Sequence, residues 1–309
     1  MKTHPTKLSF LLTLLFSLSL TTGLVAQDMP LKDVLIEGEG WEVVSEGHEF
    51  TDAPATDAQG NFYFTDVKGS DVIYKVTPDG KVSDWMKGFP RISGMMFGAD
   101  GRLYACQGAQ KRLIAISKDG KVETLVEDVR PNDLVTTADG SLYFTETPTK
   151  RIHMWDPKLG HKVVDEGNIT RPNGISLSPC QGTLVVSDFG GTNVWAFRRE
   201  VDQTLSFPQP YMTVRVDTGV TVSKGDGMTT DSAGRYYVST EKGIQMFDVT
   251  GRISGVISKP EDKFLTNVTF SGEGLHYMYV TCADKIHRRK TQATGVIFWD
   301  KPIPYTGRR

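Results

Sequence analysis

Val129–Thr147, VRPNDLVTTADGSLYFTET, runs from a polar loop through a turn into a strand. Arg130-Pro131-Asn132-Asp133 is the loop, Ala138-Asp139-Gly140 the turn, and Leu142-Tyr143-Phe144-Thr145 the strand. The same unit recurs at Asp52 (DAPATDAQGNFYFTD), Ser93 (SGMMFGADGRLYACQ), Asn173 (NGISLSPCQGTLVVSD), Asp226 (DGMTTDSAGRYYVST) and Asn267 (NVTFSGEGLHYMYVT). Aligned on Gly60, Gly101, Gly140, Gly182, Gly234 and Gly274, the copies lie 41, 39, 42, 52 and 40 residues apart. A period near 40 with glycine-turn-strand punctuation is that of a β-propeller, one blade per copy. The fold expected is all-β, a six-bladed propeller.

Seven to nine residues before each glycine stand Asp52, Ser93, Asn132, Asn173, Asp226 and Asn267, a column without Lys or Arg. Equivalent positions of a propeller face one another across the central channel, so oxygen-bearing side chains converge at one end of it. Asp52, Asn132, Asn173 and Asp226 combine two carboxylates with two amides, a donor set suited to a hard cation such as Ca²⁺. The plainer alternative is polar side chains that hydrogen-bond trapped water. Two acids facing each other without a basic partner disfavour it, because their repulsion would raise one pKa unless a cation lay between them. Ser93 is too weak a ligand to count, and Asn267 is read as a local hydrogen-bonder. Arg130 has two readings: a bidentate hold on a substrate oxygen, or an ion pair with Glu127 or Asp128.

Working outward, Asn61–Phe64 reads as an inner strand, and Asp71–Trp85 as an outer hairpin turning at Asp79-Gly80. Trp41-Glu42-Val43-Val44 is a strand that pairs with the last blade and closes the ring, and Gly295–Trp299 the end of blade six. Lys2 and Lys7 precede the 13-residue apolar run Leu8–Leu20, the pattern of a secretory signal peptide cut near Ala26. Residues 1–26 are therefore set apart from a single mature domain, 27–309. The expected location is periplasmic or secreted, with no stable membrane anchor. A net charge of −2 without long runs of like charge gives no support for nucleic-acid binding. Cys106, Cys180 and Cys282 show no zinc spacing and read as small core residues. Gly-x-Ser-x-Gly is absent, so no serine-nucleophile elbow is available. His48 lies four residues before Asp52, either at the channel mouth or in a solvated loop.

FTDAP (50–54), RPND (130–133), RPNG (171–174), GDGM (225–228) and TNVTF (266–270) resemble motifs of the senescence marker protein (regucalcin)/gluconolactonase/luciferin-regenerating-enzyme family. They come in family order over nearly the whole mature chain. The resemblance implies a metal-dependent hydrolase of sugar lactones, with one divalent cation in the channel. Calcium is the first choice, with magnesium, manganese and zinc as alternatives. It places metal ligands on Asp52, Asn132, Asn173 and Asp226, the base on Asp226, and substrate contacts on Arg130 and Asn132. The family's Glu-Gly-Pro is Asp-Ala-Pro here. Its acidic-His pair after the second blade's strand is replaced by Ala105-Cys106-Gln107-Gly108, and its Asp-Pro-Pro by Glu146-Thr147-Pro148. A non-catalytic calcium-bearing propeller and a strictosidine-synthase-like enzyme are the competing readings.

Overall fold

The computed structural model describes residues 29–304, so the signal peptide expected at 1–26 lies outside the described residues. Six four-stranded antiparallel sheets form the blades. In blade one the strands run Thr51–Thr56, Phe62–Asp66, Ile73–Val76 and Val82–Met86, each paired with the next. The innermost strands of the six blades are Thr51–Thr56, Gly94–Phe97, Leu134–Thr136, Pro172–Leu177, Met228–Thr230 and Leu265–Ser271, and they pack against one another around the axis. The expected six-bladed propeller is the fold observed. No helix among the described residues is long and apolar enough to cross a membrane.

Two strand assignments need correction. Asn61–Phe64 and its equivalents are not innermost, because Phe62–Asp66 is the second strand of its blade. Its continuous burial misleads: Phe62 and Phe64 pack between blades one and six, beside Tyr279. Gly295–Trp299 is not a blade strand either. Glu42–Glu46 pairs with Lys285–Lys290 and supplies the fourth strand of blade six, closing the ring as expected. The strand nearest the chain's start thus becomes the outermost strand of the last blade and ties the ring together.

The C-terminal segment instead seals the far end of the channel. Phe298 is buried against Val135, Ile175 and Leu177, and its carbonyl accepts the Gln181 side-chain amide at 2.6 Å. Phe298, Met95, Leu134, Ile175 and Met228 line an internal void of about 20 Å³. The channel is thus plugged by apolar groups on one side and reached from the other.

Candidate functional site

Three innermost strands carry β-bulges at their channel residues, between Asp52 and Ala55, Pro172 and Ile175, and Leu265 and Asn267. A bulge re-aims side chains at the end of a strand. In blade one it includes Ala53, buried with φ 53°, a left-handed conformation costly for a non-glycine residue. Gly227 permits a close approach: a Cβ there would stand 1.9 Å from Cγ of Asn267.

These elements bring together Asp52, Asn173 and Asp226, three of the four proposed ligands, along with Asp133 and Asn267. Asn267 Nδ2 donates to Oδ2 of Asp133 at 3.2 Å, and Asn267 is also near enough to Asp52 to favour its charged form. Asn173 does the same for Asp226. Burial pushes the Asp52 carboxyl up to about 8, with the charge of Asp133 adding to it. Burial likewise pushes Asp133 up to about 7, tempered by the Leu134 N–H and Asn267. Asp226 is held well above the usual carboxylate range by burial first, then by the charges of Asp52 and Asp133. Burial first, and then the charges of Asp133 and Asp52, raise the Cys106 thiol as well.

Asn132, the remaining proposed ligand, is placed differently. Its N–H donates to the Thr145 carbonyl at 2.8 Å, and its own carbonyl accepts Ser93 Oγ at 2.8 Å. Its half-buried side chain has no hydrogen-bond partner among the described residues, whereas the neighbouring Asp133 joins the channel acids. His48 is not at the mouth: it packs edge-on to Phe64 and Tyr74 and bonds Ser45 Oγ at 2.7 Å. Cys106 and Cys282 are buried free thiols, as expected of core residues, whereas Cys180 is exposed.

No three His, Cys, Asp or Glu side chains among the described residues are spaced to hold a metal ion by themselves. What converges is a mixed set, in which Asn173 and Asn267 stand between the carboxylates. No Lys or Arg pairs with Asp52, Asp133 or Asp226 among the described residues. Carboxylates that repel one another, flanked by amides and lacking a basic partner, fit a hard divalent cation by donor chemistry.

Sequence reasoning left a second set unplaced. Asp66, Glu146 and Asp188 end the second strands of blades one, three and four, and all are buried. Each carboxylate holds the loop that enters its blade. Asp66 accepts the N–H groups of Glu49 and Phe50, both at 2.9 Å. Glu146 accepts that of Arg130 at 2.6 Å, and Asp188 that of Arg171 at 2.8 Å. Behind Glu146 lies a relay: His153 Nε2 is 3.1 Å from Oε2, and His153 Nδ1 is 2.8 Å from Nε2 of exposed His161.

A cavity of about 690 Å³ lies between blades four and five, lined by the turns Ser178–Cys180 and Ser232–Gly234. Those turns follow the innermost strands, so it opens on the face opposite the channel acids.

Residues 50–284 match the SMP-30/Gluconolactonase/LRE-like region. A gluconolactonase of Zymomonas mobilis subsp. mobilis is 24% identical, over 89% of this chain and 88% of the relative. A gluconolactonase from Xanthomonas campestris superposes with a TM-score of 0.73 at 21% identity, covering 82% of this chain and 90% of that one. The calcium-binding protein regucalcin from Agrobacterium tumefaciens superposes with a TM-score of 0.71 at 15% identity, covering 85% and 97%.

Proposed function

The chain belongs to the SMP-30/Gluconolactonase/LRE-like family, and from that premise we propose that it is a lactonase, opening a sugar-lactone ring with water. The observation that carries the reading is the convergence of Asp52, Asp133, Asp226, Asn173 and Asn267 at the accessible end of a plugged channel. Hydrolysis joins the water oxygen to the lactone carbonyl carbon, breaks the bond to the ring oxygen, and leaves a hydroxy acid. A divalent cation, calcium by preference, would be held by Asp52, Asn173 and Asp226 with Asp133. When bound it would supply Lewis-acid stabilisation of the charge that develops on the carbonyl oxygen.

The chain's own residues supply the rest. A carboxylate oxygen of Asp226 takes the proton of the attacking water as general base and returns it to the ring oxygen as the ring opens. Asn132, whose side-chain amide has no partner among the described residues, and Arg130 two residues before it hydrogen-bond the sugar oxygens and orient the carbonyl. Phe298 and the apolar residues around it exclude bulk water from below. No side-chain nucleophile is required, consistent with the missing serine motif. Export to the periplasm or beyond remains part of the proposal and rests on the basic and apolar start of the chain.

The test is hydrolysis of small aldonolactones at neutral pH by purified protein, with and without chelator, after subtraction of the spontaneous rate. Turnover that chelation abolishes and calcium restores supports the reading. If no lactone is opened while calcium still raises the melting temperature, the chain is a non-catalytic binding propeller.

A further inference from the structure

Two residues before the channel position of each blade the sequence reads Phe50, Arg91, Arg130, Arg171, Lys224 and Leu265. Four consecutive blades, two to five, therefore present a cation at one register. The hydrogen bonds to Asp66, Glu146 and Asp188 show that this register is structural: Phe50, Arg130 and Arg171 each have their N–H held by the acid that ends the second strand. Those acids are occupied. Asp188 also accepts the N–H groups of Thr170 and Gly190, and Glu146 also binds Thr149 and His153. Glu146 and Asp188 fix the backbone beneath Arg130 and Arg171 without pairing with the guanidinium groups, whereas Arg91 follows Pro90, whose carbonyl accepts the Gln107 side-chain amide at 3.3 Å.

Arg91, Arg130 and Arg171 are exposed, and none forms an ion pair with a described residue. Lys224 is paired with Glu241 at 3.0 Å and is not counted. The Arg171 guanidinium lies 4.6 Å from the centroid of the Phe189 ring, and Phe189 reaches Phe264 of blade six, with ring centroids 6.4 Å apart. This aromatic bridge spans blade five at the entrance and braces Arg171. A planar fork of N–H donors matches carboxylate and phosphate oxygens. Arg130 suffices to hold the oxygens of a neutral sugar lactone, which leaves Arg91 and Arg171 with no task toward one.

We propose that Arg91, Arg130 and Arg171 form an anion-binding rim, so that the preferred substrate is a lactone carrying a carboxylate or phosphate remote from its reacting carbonyl. The inference rests on the lactonase reading and narrows its substrate class. The anionic group would stay at the rim while the carbonyl reaches the acids below, an orientation that also keeps the substrate's charge away from theirs.

The experiment compares kcat/KM for glucono-1,5-lactone, its 6-phosphate, and the lactone with a 6-carboxylate, at low and moderate salt. At least one charged lactone should be preferred about tenfold or more at low salt, and the preference should shrink as salt screens the rim. Arg171→Gln and Arg91→Gln should each narrow the charged-to-neutral ratio several-fold. Which charged lactone responds distinguishes phosphate from carboxylate recognition. In parallel, calorimetry with sorbitol and sorbitol 6-phosphate reads the rim without turnover. Tighter binding of the phosphate, weakened by either substitution, supports it even for a catalytically silent protein. Neutral lactone opened as well as both charged ones, with no salt or arginine dependence of the ratio, overturns the rim and leaves the lactonase reading intact. If no lactone is opened, that reading falls, and equal binding of the two hexitols then removes the rim as well.

Discussion

The Arg130 backbone N–H donates to Oε1 of Glu146 at 2.6 Å, joining the loop that carries Asn132 and Asp133 to the second strand of its blade. Glu146 is buried and lies below the usual carboxylate range. Burial opposes that shift, but Thr149, the Arg130 N–H and His153 together outweigh it. A hydrogen bond to a buried charged group contributes about 1.5–3 kcal/mol, and removing the acceptor leaves the donors unsatisfied. Glu146→Ala should therefore lower the melting temperature and raise KM for the lactone about tenfold by loosening Arg130. Glu146→Gln, which keeps an acceptor for the Arg130 N–H, should recover most of the KM loss. Equal KM for wild type and Glu146→Ala would remove the anchoring role.

The Glu146 contact also lies beyond what the blade repeat makes legible. The propeller was legible because turn glycines at a fixed period adopt positive φ, as Gly60, Gly101, Gly140 and Gly234 do. Blade four shows the limit: there Gln181, not Gly182, takes the left-handed conformation, with φ 60°. Asp52, Asn173 and Asp226 were brought together by that period alone. Asp133 was passed over because the column assigned one residue per blade. In Asn132-Asp133 two polar neighbours point to different surroundings, and alternation cannot say which faces the acids. A signal was available: an Asp directly before buried Leu134-Val135 has little solvent to satisfy it. The acids at Asp66, Glu146 and Asp188 formed a second column, 14, 14 and 15 residues after Asp52, Asn132 and Asn173. It was obscured because Gln107 and Thr240 occupy the place in blades two and five.

The placement of Asp133 makes a direct prediction about the cation. Ligand bound only to the native state stabilises it by mass action, about 2.7 kcal/mol at one hundred times Kd. Calcium should raise the melting temperature and a chelator reverse the gain. Asp133→Asn should weaken the calcium dependence clearly, whereas Asn132→Ala should leave it nearly unchanged and act on KM. Melting curves over a calcium titration decide this, and the opposite ranking would return the ligand role to Asn132.

His153 gives a pH signature of stability independent of turnover. Its side chain is buried, stacked on Phe144, and burial pushes its pKa down to about 4 despite the nearby Glu146. The unfolded chain takes up a proton near pH 6.5, while the native chain does so only near 4. Between those values the unfolded state binds more protons, so stability falls as pH falls, and the loss levels off below about 4. A shift of this size corresponds to roughly 3 kcal/mol as an upper bound. In urea titrations from pH 7 to pH 4, His153→Asn should lose less stability than wild type. Identical pH dependence of the two proteins would mean that His153 titrates normally in the native state.

Asp226 joins stability to chemistry with opposite signs. Set beside Asp52 and Asp133, its carboxylate is disfavoured by desolvation and by two like charges, and only the Gly227 N–H and Asn173 oppose this. Asp226→Asn keeps the shape and an oxygen acceptor but removes the charge. Without cation it should therefore raise the melting temperature, because a source of repulsion is gone. The same change removes the general base and a negatively charged cation donor, so kcat should fall by about 10²-fold or more. Calcium should stabilise the variant less than it stabilises wild type. A substitution that destroys activity by unfolding the protein cannot give this pattern, because the inactive protein is the more stable one in chelator. The measurements are melting curves in chelator and in calcium, alongside initial rates on the lactone that wild type opens fastest. If Asp226→Asn retains wild-type kcat, the base lies elsewhere. If it melts lower in chelator, the channel carboxylates do not repel one another in the native protein.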